Sequence, residues 1–413
     1  MARIEPFRAV RPRPDIARLV AAPPYDVLTT EEAREMASGN PYSFLHVGKP
    51  EIDLPPGTNP YADEVYAKGK ENFDRFLREG TIAPDPRKEF YIYKQIWGDH
   101  VQVGLVAVAS CRDYLDDVIK KHELTRPDKE NDRMRHIEAL GAQTGPVFLT
   151  YRRQALIDGL VGAGMDRAPE YDFATDDGIR HIIFAVPEPG LIARIREAFA
   201  GVNPLYVADG HHRSAAATRI KVRRDAATPH PSGNEEYSFF LSVIFPHNQM
   251  KILPYNRVVR DLNGLAPKDF LARVDERFSR RAADRKTPGR PREFCLFVDG
   301  QWHLLEPRPG TYDTADPVRS LDVSILQENL LAPVLGIADP RTDKRIDFVG
   351  GIRGPDELEE KVRSGAYQAA FSLFPTTIDQ LFTVADSGKI MPPKSTWFEP
   401  KLKDGLAVHM IDE

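Results

Sequence analysis

Apolar residues alternate with polar ones, or form short unbroken runs, in many segments of the chain. Alternation with a period of two, and short apolar runs bounded by Gly, Pro or Asp, are typical of β-strands. Gly98 and Asp99 separate one pair of such segments, and Asp299 and Gly300 separate another, so each pair predicts a β-hairpin. The predicted strands are residues 89–97, 100–110, 146–151, 181–186, a segment beginning at 205, 239–245, 251–259, 294–298 and 302–306, with shorter ones near 346 and 369.

Other segments repeat their apolar residues with a period near 3.6, which is typical of amphipathic helices. Thr29 or Thr30 is placed to cap the first of them, with Glu31 and Glu32 in its first turn. The glycine-rich residues 159–164 lack the order of a dinucleotide-binding fingerprint, and we interpret them as a loop. The predicted helices are residues 30–36, 61–79, 116–140 (interrupted near Pro127), 191–200, 212–224, 323–335, 355–364 and 377–386, with one more after a loop at 261–266.

The succession of strands and helices predicts a mixed fold, α+β or α/β. The chain has 413 residues, which is long enough for two or more domains and a large buried core. Composition shifts at residues 261–266, and residues 280–292 read as a basic linker or loop. We therefore predict one region at residues 1–262 and a second, α/β region at residues 263–413.

Charge and cysteine content narrow the class of protein. The 56 basic and 61 acidic residues give a net charge of −5, which argues against broad binding to nucleic acid or to a membrane surface. No apolar run approaches the length of a membrane span, and residues 1–7 lack the apolar core of a signal peptide. Cys111 and Cys295 lie far apart in apolar segments, so we expect buried thiols and a reducing, cytoplasmic location.

The sequence Asp209-Gly210-His211-His212-Arg213 offers the strongest candidate chemistry. It follows a short apolar strand and opens an alanine-rich helix, and a helix N-terminus favours anions. The Arg213 guanidinium fits phosphate oxygens, and Asp209 could accept a proton or hold a metal ion. The alternative is an ordinary polar helix start with Asp209 as a cap. No Walker A glycine loop is present.

Residues 121–133 form a second charged candidate. His122 and Glu123 are followed by Thr125, and Asp132 and Arg133 come later. A positioned carboxylate such as Glu123 can remove the proton of a substrate hydroxyl as it attacks. A solvated charged helix is the alternative. No second histidine has the spacing of a zincin motif.

Two proline-braced segments and one arginine complete the candidates. Residues 391–401 carry hydroxyls and cations suited to a phosphate clamp, or else form a turn packed on the core; the proposed phosphate contacts there are Lys394, Ser395 and Thr396. In residues 23–27 a double proline fixes an extended backbone before Asp26, which could contact a metal or a substrate. Arg257 is a candidate for recognising a substrate carboxylate.

These motifs together resemble the domain of unknown function 1015 family, and the resemblance extends over nearly the whole chain. The turn at Asp209 resembles the phosphate-binding motif of the ParB/sulfiredoxin superfamily, and it is closest to that of the superfamily's free serine kinases. The resemblance implies a ParB/sulfiredoxin-like nucleotide-binding core with an added C-terminal region, and a phosphate clamp at residues 391–401 would require that region to close on the site. It also implies that Gly210, His212 and Arg213 contact the nucleotide or the transferred phosphate.

The same resemblance implies a kinase for a small hydroxyl compound, most readily free L-serine, with ATP or ADP as donor and Mg²⁺ as cofactor. Asp209, His211 and Glu123 would be catalytic, with Asp209 also the metal anchor. Asp26, His122, Thr125 and Arg257 would contact the substrate. The alternative is a nucleotide-binding switch of the ParB type, against which stand the acidic net charge and the lack of a helix-turn-helix pattern. Nucleic acid and membrane are not expected partners, and a homodimer is left open.

Overall fold

The computed structural model describes residues 1–412. Within that range it contains 13 α-helices and four β-sheets, so the mixed α/β class predicted from the sequence is confirmed. The chain forms two compact units. The first comprises residues 1–121, residues 125–250 and the C-terminal segment that starts at Pro400, and the second comprises His122–Leu124 and Lys251–Glu399. The assignment of functional domains at residue 262 stays a prediction.

A nine-stranded, mostly antiparallel sheet forms the centre of the first unit. Two of its pairings are parallel: Leu205–Asp209 lies beside Ile119–Lys120, and Phe239–Pro246 lies beside Val147–Tyr151. Ile4–Glu5 pairs with the longest strand outside the main order. The main order is Ile119–Lys120, Leu205–Asp209, Val147–Tyr151, Phe239–Pro246, His100–Ser110, Phe90–Trp97, Arg180–Val186 and Tyr171–Ala174.

A smaller antiparallel sheet and nine helices complete the first unit. The sheet joins the two ends of the chain, because Val408–Met410 lies between Ala9–Pro12 and Ala142–Gln143, with Ile82–Pro84 at the outer edge. Of the two predicted caps, Thr29 is the one that caps the helix Thr30–Ala37, through a capping box with Glu32. The helices are Ala17–Val20, Thr30–Ala37, Leu45–Gly48, Asp63–Arg78, Cys111–Leu115, Pro127–Leu140, Ala155–Gly164, Pro189–Ala200 and His211–Ala227.

The second unit is built on a six-stranded antiparallel sheet. A two-stranded pair, Lys251–Leu253 with Trp397–Glu399, lies outside it. The strand order of the main sheet is Phe278–Ala282, Gln301–Pro307, Phe294–Val298, Ala369–Leu373, Tyr255–Val259 and Ile346–Gly350. The helices are Pro267–Arg277, Asp322–Leu326, Gly354–Arg363 and Ile378–Asp386. None of the helices in residues 1–412 has both the length and the apolar character that crossing a bilayer requires.

The glycine-rich segment at 159–164, which we interpreted as a loop, is instead part of the helix Ala155–Gly164. Ile157, Leu160 and Val161 are buried at helical spacing, and their burial outweighs the low helix propensity of glycine. A Cβ atom at Gly164 would lie 2.4 Å from Ile92 Cδ1, so this glycine lets the helix pack closely on the sheet.

Three further predictions were wrong in their extent. The predicted helix at 116–140 is a strand at Ile119–Lys120 followed by the helix Pro127–Leu140, because the proline occupies the first turn of the helix and does not interrupt one. The predicted loop at 280–292 begins within a paired strand that ends at Ala282. The predicted helix at 323–335 is α-helical only over Asp322–Leu326 and then widens into a π-helical turn.

Gly405 is a sensitive point in the packing of the first unit. Its φ is +85°, and a Cβ atom there would lie 2.5 Å from Cγ of Phe44, a ring that is fully buried. Gly57 has nearly the same φ, +86°, but nothing lies within 4 Å of its Cβ position. Both glycines therefore adopt the same left-handed backbone conformation, but only Gly405 is in crowded surroundings.

We expect Gly405→Ala to destabilise the protein by about 1–3 kcal/mol more than Gly57→Ala, because only the first substitution overpacks the core. Both carry a cost of about 1–2 kcal/mol for the left-handed conformation. Urea denaturation of the two variants and the parent protein would measure the difference. Equal destabilisation by both substitutions would show that the contact with Phe44 relaxes without cost.

Candidate functional site

The turn at Asp209 lies between a buried strand and a long helix of the first unit, as the sequence predicted. Leu205–Asp209 ends in a β-bulge against Val147–Tyr151, between Val207 and Asp209. Gly210 has a φ of +91°, which a residue with a side chain rarely adopts, and it immediately precedes the helix His211–Ala227. The N–H groups of the first helical turn lack carbonyl partners within the helix, so this end of it favours negative charge.

The Asp209 carboxylate is held by two donors. Its Oδ2 accepts a hydrogen bond from Lys401 Nζ at 2.9 Å, and its Oδ1 accepts the N–H of Gly210 at 2.7 Å. An Arg213 nitrogen lies 4.0 Å from Oδ1. Burial tends to raise the pKa of Asp209, but the positive charges of Lys401 and Arg213 outweigh burial and hold that pKa well below its usual range. The carboxylate is therefore ionised at neutral pH and is a poor proton acceptor.

Two buried glutamines fix the backbone that carries Lys401. Gln95 and Gln102 are cross-strand partners in the central hairpin, and neither is exposed. Gln102 donates to the Gln95 side-chain oxygen at 2.8 Å, and Gln95 donates to the Lys401 carbonyl at 2.9 Å. A buried side-chain amide that lacks a hydrogen-bond partner carries a desolvation cost. The two glutamines therefore favour the backbone position at residues 400–401 in which the Lys401 carbonyl accepts from Gln95. Through that backbone, the hairpin helps to set where the Lys401 side chain begins.

His211 and His212 differ in their surroundings. His211 is buried, and its burial, with the nearby positive charges, lowers its pKa to about 4. Its imidazole is therefore neutral at pH 7 and is a weak base, which can donate a hydrogen bond from one ring nitrogen and accept one at the other. His212 is half-buried, and its Nε2 accepts the N–H of Arg126 at 3.2 Å. This contact brings His212 next to the segment that contains Thr125.

Arg213 points into the first unit. Only 8% of it is exposed, and it donates to the Pro146 carbonyl. Burial tends to lower its pKa, but the carboxylates of Asp26, Asp209 and Asp404 raise it above the usual value. The guanidinium is thus already balanced by carboxylates of the protein. Its contact with a nucleotide phosphate stays a prediction.

A small cavity of about 30 Å³ lies beside Arg213, lined also by Tyr25, Arg133, Gly145 and Asp404. It has room for a bound water molecule, whereas small-molecule sites typically occupy roughly 300–1,000 Å³. Arg213 Nε and Asp404 Oδ1 are both buried without a hydrogen-bond partner among residues 1–412. Burial raises the pKa of Asp404 to about 7 despite the nearby arginines. The cavity is a charged pocket within the unit and does not accommodate a nucleotide.

The remaining predicted residues of the first unit are Thr125 and Asp26. Thr125 donates its hydroxyl hydrogen to the Glu130 carboxylate, so a neighbouring side chain already engages it. Asp26 is exposed and contributes negative charge near Arg213 and Tyr25. Substrate contacts by either residue stay predictions.

The other predicted residues lie in the second unit. His122 is buried, and its carbonyl accepts the N–H of Met391 at 2.8 Å; Glu123 next to it is partly exposed. Arg257 is buried and donates to the Lys394 carbonyl at 3.0 Å. Ser395 and Thr396 belong to the same loop as Lys394. The structure therefore brings Arg257 and Lys394 together within the second unit, and Asp209, His211 and Arg213 together within the first.

The residues at Asp209 do not fit a metal ion held by the protein alone. Residues 1–412 contain no group of three or more His, Cys, Asp or Glu side chains placed to hold one. Both Asp209 oxygens already accept hydrogen bonds, one of them from an ammonium group. The assignment of Asp209 as a metal anchor stays a prediction that this pairing disfavours.

Sequence reasoning missed Lys401 as the partner of Asp209 and Asp404 as a charge near Arg213. Lys401 was noted only as part of a phosphate clamp, and Asp404 was not singled out. The sequence did contain a signal for the residues that support Lys401, since Gln95 and Gln102 stand opposite each other in two mostly apolar strands. Polar residues that are buried in a strand require partners, but the sequence does not say which ones.

The family described as protein of unknown function (DUF1015) matches residues 4–324. The chain belongs to this family. The match includes the turn at Asp209 and the segment with Glu123, and it ends before the loop that carries Lys394 and before Lys401. No curated protein matches the chain.

The solved structures that resemble this DUF1015 member do so at low sequence identity and low TM-score. A free serine kinase in complex with AMP is 12% identical, with 73% of this chain and 91% of that one covered and a TM-score of 0.36. A conserved hypothetical protein from Pyrococcus furiosus is 14% identical, with coverages of 74% and 95% and a TM-score of 0.37. SbnI with a C-terminal truncation, from Staphylococcus aureus, is 11% identical, with coverages of 72% and 85% and a TM-score of 0.38. Similarity of this degree carries no conclusion about what the present chain binds.

Proposed function

We propose that this protein is a nucleotide-dependent phosphotransferase that acts on a small hydroxyl compound. The observation that carries the proposal is the Lys401–Asp209 ion pair at the N-terminal end of the helix His211–Ala227. The strand–turn–helix segment contributes a helix N-terminus and the neutral imidazole of His211, and Lys401 contributes an ammonium group through its ion pair with Asp209. Phosphoryl transfer depends mainly on positioning and on stabilising negative charge, which are the tasks that such groups perform.

The residues would share the work as follows. The Lys401 ammonium and the turn at Gly210 would attract phosphate oxygens, while the ionised Asp209 holds Lys401 in place. Neutral His211 would act in catalysis as a hydrogen-bond donor, from one imidazole nitrogen to a phosphate oxygen. Glu123 is the candidate base that receives the proton of the acceptor hydroxyl. In the transfer, the bond from the terminal phosphorus to the nucleotide's bridging oxygen breaks, and a new bond forms to the acceptor oxygen.

The finer assignment rests on the family resemblance of the sequence. It names free L-serine as the acceptor, ATP or ADP as the donor and Mg²⁺ as a companion of the nucleotide phosphates. It also suggests a ParB/sulfiredoxin-like core, with the second region closing on the site. The further contacts proposed are those of Asp26, His122, Thr125 and Arg257 with the substrate, and of Lys394, Ser395 and Thr396 with phosphate. A cytoplasmic location and a homodimer belong to the same proposal.

A nucleotide-binding switch without transfer is the second candidate function. It is favoured by the commitment of both Asp209 oxygens to Lys401 and Gly210, which leaves this carboxylate less available for catalysis. A switch would bind the nucleotide and change conformation, and it would need no acceptor. The two functions differ in one measurable respect, the appearance of a phosphorylated acceptor.

We expect the full chain, incubated with L-serine and either ATP or ADP, to form O-phosphoserine, because the Asp209 turn presents groups suited to phosphate and the family resemblance names serine as the acceptor. Phosphorus NMR would detect the product, with parallel reactions containing Mg²⁺ or EDTA. Reactions without serine would measure hydrolysis alone. Saturable nucleotide binding without a phosphorylated product, from serine or from other hydroxyl amino acids, would reject the transferase and favour the switch.

A further inference from the structure

Arg257 is a buried cation without an acidic partner, in the second unit. It is 3% exposed and lies on Tyr255–Val259, an inner strand of the six-stranded sheet. Among residues 1–412 no carboxylate forms an ion pair with it, and its two hydrogen bonds go to the carbonyls of Tyr255 and Lys394. A guanidinium has five N–H groups, so three of them have no protein acceptor. Burial accordingly lowers the pKa of Arg257 to about 10.

The loop that accepts a hydrogen bond from Arg257 carries a second cation, Lys394. Lys394 has a φ of +56°, and its ammonium lies 5.3 Å from the ring centre of Tyr255, two residues before Arg257 on the same strand. The loop is held by Ser395, whose hydroxyl donates to the Pro392 carbonyl at 2.6 Å, and by Thr376, which donates to the Ser395 carbonyl at 2.8 Å. The position of Lys394 therefore follows from a braced backbone.

Three aromatic side chains form a cluster, and two of them, Phe348 and Tyr255, each contact one of the cations. The Arg257 guanidinium lies 5.3 Å from the ring centre of Phe348, its cross-strand partner. The ring of Tyr255 meets those of Phe348 and Trp397 edge to face, at 6.1 and 5.1 Å between centres. All three rings are half-buried, so part of each still contacts solvent. Aromatic faces stabilise cations, but they do not neutralise a buried charge as an anion would.

We propose that Arg257 and Lys394 form a binding site for an oxyanion, a phosphate or carboxylate group, within the second unit. A charge removed from water carries a large free-energy cost unless a counter-charge and hydrogen bonds replace its hydration. Two oxygens of one anion can accept bidentate hydrogen bonds from a guanidinium, and the Lys394 ammonium adds charge from the loop. The site joins two contacts that the proposed function assigns separately, Arg257 to the substrate and Lys394 to phosphate, but the experiment below measures anion binding and not phosphate transfer.

The alternative is that Arg257 only ties the strand to the loop through its two carbonyl contacts. Neutral amide donors could perform that task without a buried charge, so the charge itself argues for a ligand. The two explanations differ in their consequences. A brace affects stability alone, whereas an oxyanion site also affects binding.

Isothermal titration of the full chain with inorganic phosphate, with acetate and with AMP, at low ionic strength, would test the site. We expect saturable binding of at least one of the three. The three titrations distinguish whether the site takes free phosphate, a carboxylate or the phosphate of a nucleotide. Arg257→Gln should weaken that binding by about 10- to 100-fold, the loss expected for hydrogen bonds to a charged group. Arg260→Gln is the matched control, because Arg260 is exposed and already paired with Asp347 at 2.7 Å.

Lys394→Gln provides a second variant, since Lys394 is exposed and its backbone brace does not use the ammonium. We expect it to weaken binding several-fold, and it decides the test if Arg257→Gln fails to fold. The proposal is overturned if the folded parent protein binds none of the three anions saturably. It is also overturned if Arg257→Gln binds as tightly as Arg260→Gln, or if Lys394→Gln leaves the affinity unchanged where Arg257→Gln does not fold. Loss of serine phosphorylation alone would bear on the proposed function and not on this site.

Discussion

Asp209→Asn is expected to reduce O-phosphoserine formation by at least about 100-fold while the protein stays folded. The substitution keeps the shape of the side chain but removes the charge that holds Lys401 at 2.9 Å. An ammonium that is no longer fixed stabilises developing phosphate charge less well, and one preorganised donor is typically worth about 2.7–4 kcal/mol of barrier. Steady-state rates at saturating nucleotide, with circular dichroism to confirm folding, would measure the effect.

Two further variants sharpen this experiment. If Asp209 acts through Lys401, the double variant Asp209→Asn with Lys401→Met should be no slower than the slower single variant, because both remove one interaction. Asp172→Asn is the control, since Asp172 pairs with Arg180 at 2.6 Å on an edge strand of the same sheet. Near-normal rates for Asp209→Asn would mean that Asp209 serves only to begin the helix.

Arg213→Met is expected to destabilise the first unit by about 3–5 kcal/mol, the usual consequence of removing one partner from a buried charge network. The carboxylates of Asp209 and Asp404 would then lose a shared cation, and the Pro146 carbonyl would lose a donor. Urea denaturation would measure the loss. Arg219→Met, on the same helix but exposed and paired with Glu130, should cost about 0–1 kcal/mol.

The loss at Arg213 should also depend on pH. The folded protein raises the pKa of Asp404 to about 7, above its value in the unfolded chain, so this group stabilises the fold less as pH rises toward and through 7. Without Arg213 that pKa rises further, because Arg213 lowers it in the parent protein. We therefore expect the stability difference between Arg213→Met and the parent to grow between pH 6 and pH 8. A pH-independent difference would show that Asp404 and Arg213 are not coupled.

The sequence predicted much of the local structure correctly where neighbouring residues decide it. Both hairpins, the strand that begins at Leu205 and the helix after Gly210 lie where apolar spacing and turn residues indicated. The candidate turn was found in the same way, since Asp209 to Arg213 are contiguous in the chain. The error at Ala155–Gly164 has the opposite cause, because contacts with distant strands, such as that of Gly164 with Ile92, stabilise a helix that glycine content disfavours.

Only the tertiary structure decided which groups surround each candidate residue. Lys401 reaches Asp209 across 192 positions of sequence, on a C-terminal segment that returns to the first unit and is held by Gln95. Arg213, expected to face a phosphate, points inward to carboxylates from distant segments of the chain. The sequence by itself determined the local elements and the composition of the Asp209 turn, because short-range sterics and apolar periodicity act between neighbours. Charge pairing and burial depend on long-range packing, so the electrostatics of the site followed only from the fold.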